Sequence, residues 1–298
     1  VDAGPYTLEI MERIGVSWRE ITDVFITHQH EEHDVGLVGL LEKLRRWNSV
    51  NKLQRKINII TSVIVWNEYL SKLDSLVGEE NKSSLLNSVN FMDIAAAKDK
   101  TVFLGVNKHI EAGYALHNVI SLMGKVVYDG RAISFSGDHI YDPIRYAGLE
   151  EKGILTAERR KELSGFLFKG ETALIIHEVG SGECPAGVHT SNRHIFALED
   201  GVQQKMILVH TDSLDFRLAR KGWPGMVCEV LLPHFALGEK DILGSVQREI
   251  KSGGLKNIGG LNRLKVDASQ IQELEAKDIG ALPSVGSSEY QELIKEAK

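Results

Sequence analysis

The sequence predicts an α/β domain of two or more layers, and three observations carry that prediction. Short apolar runs with strand character alternate with stretches whose apolar residues recur at helical spacing. The 298 residues are 43% hydrophobic and 26% charged, enough to bury one sizeable core. The histidines and acids able to carry chemistry stand where the apolar runs end, most densely in His28-Gln-His30-Glu-Glu32-His33.

Residues 6–14 form a short amphipathic helix, and 21–27 a strand that runs straight into the histidine motif. Val35, Leu37, Leu40, Leu41 and Leu44 lie at helical spacing and define a helix over 35–47. Asp34, at its start, is expected as an N-terminal cap or dipole partner. A strand at 57–61 precedes a polar helical stretch from 65 to about 89, which contains Trp66, Tyr69 and Leu70. Strands follow at 101–106, 114–122 and 125–135, and residues 141–168 are helical and charged. Two short buried strands of parallel type, 173–176 and 206–209, flank a helix at 191–200. A strand at 227–232 closes the sheet, with His234 just past its end. From about 237 the glycine pairs Gly253-Gly254 and Gly259-Gly260 break up the pattern. The expected organisation is therefore a core domain over 1–237 and an extension over 238–298, packed on the core or serving an oligomer contact.

Residues two apart on an extended segment point the same way, so His28 and His30 can grip one ion, while Glu32 and His33 face a second. Imidazole and carboxylate donors suit Zn²⁺ best, with Mn²⁺ or Fe as competitors. Such ions hold and acidify a water. Further along, Ser134-Phe-Ser-Gly137-Asp138-His139 offers a carboxylate able to bridge two ions. His117 stands in Ala-Leu-His-Asn-Val-Ile, and His210 ends the run Met206-Ile-Leu-Val. One histidine beside an apolar run would read as a structural residue. Four segments that each carry His or Asp in this way point to a metal centre.

These motifs resemble those of the metallo-β-lactamase-fold hydrolases, whose pattern is His-x-His-x-Asp-His, then a lone His, a Gly-Asp and a final His. The match runs from Val1-Asp-Ala-Gly to about Pro233. The resemblance implies a four-layer αββα sandwich holding two divalent ions. In it His28, His30 and His117 bind the first ion, Asp138 bridges, and Glu32, His33 and His210 bind the second. It also implies a β-hairpin upstream of the Asp-Ala-Gly segment. The segments around Asp138, His177-Glu178-Val-Gly and Val188-His189-Thr190 are similar to the phosphodiesterase branch, which contains RNase Z and cyclic-nucleotide phosphodiesterase-like proteins. That similarity gives Glu178 and His189 the task of assisting the leaving oxygen, with a structural hydrogen bond between loops as the alternative. Glu32 departs from the family Asp; its extra methylene shifts the second ion, interposes a water, or weakens that site. Arg145, near the Asp138 loop, can meet a phosphate oxygen with its planar fork or lie on the surface.

The net charge of -6 and the short basic clusters at 43–46, 52–56 and 159–161 argue against a long nucleic acid as partner. No stretch approaches the roughly 20 apolar residues of a membrane span. Cys184 and Cys228 are too few for a disulfide framework, and no charged-then-apolar leader is present, so the cytoplasm is the expected compartment. The functional expectation is a metal-dependent hydrolase acting on a small phosphodiester such as a cyclic nucleotide. Glu32 would orient the attacking hydroxide, and His189, backed by Glu178, would protonate the leaving oxygen. The alternatives are a lactone, thioester or β-lactam hydrolase of the same fold, or a metal-binding sensor with a degenerate second site.

Overall fold

Parallel strands bury both faces and need helices to cover them, and this requirement shapes both units of the chain, Val1–Ala112 and Gly113–Lys298. The computed structural model of the protein describes residues 1–179, 189–210 and 226–227. Cys184, Cys228, His234, most of the expected 227–232 strand and the extension from 238 lie outside the described residues.

The first unit opens with helix α1 (Thr7–Arg13), then strand β1 (Asp23–Phe25) and the long helix α2 (Glu31–Asn51). Leu37, Leu40, Leu41 and Leu44 are buried along one stripe of α2, as their spacing requires. Strand β2 (Ile57–Thr61) follows, and Ser62 caps helix α3 (Val63–Val77) by accepting from Val65 N at 3.3 Å. Here the structure corrects the single helix expected over 65–89. Gly78, at φ 77°, ends α3 and starts a separate helix α4 (Glu79–Leu86), a conformation that glycine adopts without strain. Residues Val89–Asp93 form strand β3, parallel to β2, which is itself parallel to β1. The register aligns Asp23, Asn58 and Asn90 in one row, linked by amide hydrogen bonds of 2.7 Å. Trp66 of α3 stacks on Phe91 of β3 at 5.2 Å. A hairpin of β4 (Thr101–Phe103) and β5 (Lys108–Tyr114) follows, its last two residues lying past the end of the first unit.

The expected strand over 114–122 does not exist. Strand β5 stops at Tyr114, and β6 (Leu122–Tyr128) begins only after a loop closed by Ala115 N donating to Ser121 O at 2.8 Å. His117 sits in that loop. The expected strand over 125–135 is instead a hairpin of β6 and β7 (Arg131–Phe135), turned by Asp129 and Gly130 at φ 47° and 76°. Two positive φ values in a two-residue Asp-Gly turn match the twist of the flanking strands. Strands β8 (Thr172–Glu178), β9 (Met206–Val209) and β10 (Met226–Val227) then add in parallel, in the order β6-β7-β8-β9-β10. Helix α5 (Pro143–Glu151) is capped by Asp142, and α6 (Ala157–Gly165) by Thr156. The expected helix over 191–200 is two short ones, α7 (Asn192–Phe196) and α8 (Asp200–Gln203). Leu116, Ile140, Tyr146, Leu149, Leu163, Ile175 and Leu208 share one buried cluster. Among the described residues no helix is long and apolar enough to cross a membrane.

The first turns of α2 lie against residues 2–4 with no room between them. A Cβ on Gly36 would sit 2.1 Å from Gly4 O and 2.8 Å from Ala3 O. Gly36→Ala must displace backbone, so urea unfolding should show a loss of about 1–3 kcal/mol, the usual range for overpacking. An unchanged unfolding midpoint would contradict this close approach.

Candidate functional site

In the first unit the chain leaves β1 still extended, and His30 stands immediately before α2 with φ -64° and ψ 145°. Glu31, Glu32, His33 and Asp34 are therefore the first helical turn. The extended step sends the rings of His28 and His30 to the same side, with centroids 4.6 Å apart, and the helical turn brings His33 within 4.1 Å of His28. Ligand atoms of His28 and His30 lie within 4.8 Å of each other, as do those of Glu32 and His33. Glu32 is the most exposed of the four, at 53%, with Oε1 3.8 Å from His30 Nδ1.

The orientation of these rings is set from residue 2. His33 Nδ1–H donates to Asp2 Oδ2 at 2.8 Å. His28 Nδ1 lies 3.0 Å from Thr27 Oγ1, which donates onward to Asp2 Oδ2 at 3.0 Å. Both Nδ1 atoms are engaged in this way, which leaves Nε2 as the nitrogen that could coordinate an ion. This is the carboxylate–histidine arrangement that fixes tautomer and ring direction in metal sites. Asp34 is not a cap: its carboxylate is fully buried and takes both oxygens to Lys72 Nζ at 2.8 Å. Burial pushes that carboxyl up to about 6 against the pull of Lys72.

In the second unit Asp138 follows β7 through Gly137, which takes φ 53°, and is fully buried. Its Oδ2 lies 3.7 Å from His117 Nε2, 3.8 Å from His210 Nε2 and 3.9 Å from His189 Nδ1. Three imidazoles thus gather round one carboxylate at more than hydrogen-bond length. His210 takes φ 60° directly after β9, a left-handed conformation uncommon outside glycine and frequent at functional sites. His189 Nδ1 is 3.2 Å from Glu178 Oε2, and Glu178, His189 and His210 hold ligand atoms within 4.8 Å of one another.

Buried polar groups keep this arrangement in place. Thr190 N donates to Glu178 Oε1 at 2.8 Å, and Ser136 Oγ accepts from Glu178 N at 2.8 Å. Thr190 Oγ1 accepts from Tyr141 N at 2.8 Å and donates to His139 O. His139 accepts from Leu116 N through Nδ1 at 3.1 Å and donates through Nε2 to Leu163 O at 3.3 Å, so its neutral tautomer is defined. Burial, then the neighbouring His177, hold His139 well below the usual imidazole range. Burial likewise lowers His177, whose Nδ1–H donates to Glu178 O at 2.6 Å. Arg145 is not a surface residue. It is 2% exposed, with Nε 3.2 Å from Asp142 Oδ2, and burial lowers its pKa against the attraction of Asp142. The structure therefore gathers His28, His30, Glu32 and His33 within one unit, and His117, Asp138, Glu178, His189 and His210 within the other. The sequence assigns no role to Asp2, Ser136 or Thr190. Their partners described above lie 12 to 51 positions away, beyond any local spacing signal.

A family model described as "Anti-Pycsar protein Apyc1" matches residues 1–222. The cAMP/cGMP-dependent 3′,5′-cAMP/cGMP phosphodiesterase B of Dictyostelium discoideum is 27% identical over 199 residues, which cover 67% of this chain and 16% of that protein. The cGMP-dependent 3′,5′-cGMP phosphodiesterase A of the same organism is 25% identical over 211 residues, covering 70% of this chain and 22% of its own length. The chain thus spans less than a quarter of each of these relatives. Among solved structures, the metallo-β-lactamase fold protein YhfI from Bacillus subtilis superposes with a TM-score of 0.50 at 14% identity, over 77% of this chain and 82% of that one. This likeness shows the expected α/β metallo-β-lactamase fold.

The buried neutral histidines set the direction of acid sensitivity. His177 has a folded pKa below its ordinary 6.5, so its stabilising contribution is complete above that value and is lost as pH falls through the folded pKa. Urea unfolding at pH 7.5 and 5.5 should show weaker folding at the lower pH, and His177→Asn should lose less between the two. An equal pH dependence in the variant would remove His177 from the acid response.

Proposed function

We propose, on the premise that this chain belongs to the Anti-Pycsar protein Apyc1 family, that it is a metal-dependent phosphodiesterase acting on a 3′,5′-cyclic nucleotide. It lies in the phosphodiesterase branch of the metallo-β-lactamase-fold superfamily. The single observation that carries the reading is the Glu178–His189 pair set beside Asp138, at 3.2 and 3.9 Å. A lactone or β-lactam would need a proton donor as well, and the identity with cyclic-nucleotide phosphodiesterases is what favours a phosphodiester over either.

The donor set fits divalent metal ions. Neutral imidazoles with fixed tautomers and buried carboxylates are what Zn²⁺ takes best, with Mn²⁺ and Fe next. The proposed ligands are His28, His30, Glu32 and His33 from the first unit, and His117, Asp138 and His210 from the second. When bound, such ions acidify water and offset the charge on phosphate oxygens. His189 Nδ1 stands 3.2 Å from Glu178 Oε2; in the proposed role that carboxylate would orient the ring, and Nε2 would carry the proton that the leaving ribose oxygen requires. Thr190 N fixes Glu178 in turn. Glu32, half-exposed, is proposed to orient the attacking water. Its exposure also favours a second reading, in which one ion is held firmly and the other weakly. A cytoplasmic location and an oligomer contact through residues 238–298 belong to the same proposal.

The test is hydrolysis of bis(p-nitrophenyl) phosphate, cAMP and cGMP by metal-loaded protein. His189→Ala should lower turnover by about 10²- to 10⁴-fold with metal content unchanged, the range for loss of a general acid. Unchanged turnover would take His189 out of the mechanism. Hydrolysis of a lactone or thioester with no phosphodiester turned over would overturn the substrate class.

A further inference from the structure

We propose that Lys72 is a positioning residue for the His28–His30 ligand pair, acting through the carbonyl between them; the inference rests on the metal-binding reading above. Lys72 Nζ donates to Gln29 O, and it donates to the two carboxylate oxygens of Asp34 at 2.8 Å each. An ammonium group carries three protons, and here three acceptors take them. Gln29 is the residue between His28 and His30, and Asp34 follows His33. One cation therefore ties both ends of the ligand-bearing turn to α3.

The anchor is firm. Val65, Trp66, Tyr69 and Leu73 of α3 are buried, and Trp66 stacks between Tyr69 and Phe91. Lys72 itself is 24% exposed, whereas Asp34 is fully buried. The extended geometry at His28–His30 is what turns the two rings to one side, and that geometry depends on the plane of the Gln29 peptide. A hydrogen bond from a fixed cation to Gln29 O holds the plane. A compact ammonium suits three acceptors in different directions better than a planar guanidinium does. Outer partners of this kind typically change metal affinity by about 10- to 100-fold when removed.

The test is zinc affinity of the full chain, measured by competition with a chromophoric chelator. Lys72→Met combined with Asp34→Leu removes the cation without stranding a buried carboxylate, a replacement that folded chains often tolerate. The paired variant should melt cooperatively and bind Zn²⁺ about 10- to 100-fold more weakly. A purely structural ion pair would shift melting and leave affinity unchanged, and that result overturns the inference. Should the paired variant fail to fold, Lys72→Arg decides: it keeps the charge beside Asp34 but cannot reproduce the three contacts. Its affinity should fall several-fold at an unchanged melting temperature, and wild-type affinity overturns the inference. Wild-type protein that takes up no zinc overturns the metal-binding reading itself.

Discussion

The carboxylate of Asp2 is the interaction on which the ligand-bearing turn depends. Oδ1 accepts from Thr27 N at 2.8 Å, and Oδ2 accepts from Thr27 Oγ1 at 3.0 Å and from His33 Nδ1 at 2.8 Å. The flanking backbone adds Asp2 N to Phe25 O, Ala3 N to His33 O and Gly36 N to Ala3 O, each at 2.7 Å. Charge-assisted bonds are the strong ones, and here they hold a strand end and a helix start in one register. Asp2 takes φ 53° to do so, a strained position for a non-glycine residue. Gly4 and Gly36 follow from the same constraint, because the backbones approach too closely for any side chain between them.

The second unit solves a similar problem with neutral donors. Asp138, Glu178 and three histidines are gathered where β7, β8 and β9 run out, the place where parallel sheets present ligands. Thr190 is the hub: its N–H holds Glu178, and its hydroxyl links Tyr141 N to His139 O. His139 extends the network to Leu116 N, next to His117. Breaking any one of these buried bonds would strand a polar group in a low-dielectric interior, which is costly.

How much of this was legible in the sequence follows from the range of each signal. The α2 stripe, β2 and β9 were legible because their periodicity is local. The clustering of the histidines and acids within each unit was legible because the four segments that carry them stand where apolar runs end. Strand β3 was not, since the polar stretch before it reads as continuous helix until Gly78 is known to adopt a positive φ. The β6–β7 hairpin was hidden by alternation that runs through Asp129-Gly130, although that dipeptide is itself a hairpin signal. The loop bearing His117 reads as strand because its apolar residues are buried in the core rather than paired in a ladder. Asp2, Thr190 and Lys72 were beyond reach, because they act on partners 12 to 51 residues away, past any local spacing signal.

The central claim is that the histidines and carboxylates of the two units are ligands of divalent ions. Plasma emission analysis of protein purified without chelator, wild type beside Asp138→Ala, tests it most directly. The account predicts about two equivalents of metal in the wild type, as a two-ion hydrolytic centre needs, and a clear loss in the variant. Wild-type protein without metal, or a variant that keeps its full complement, would contradict it.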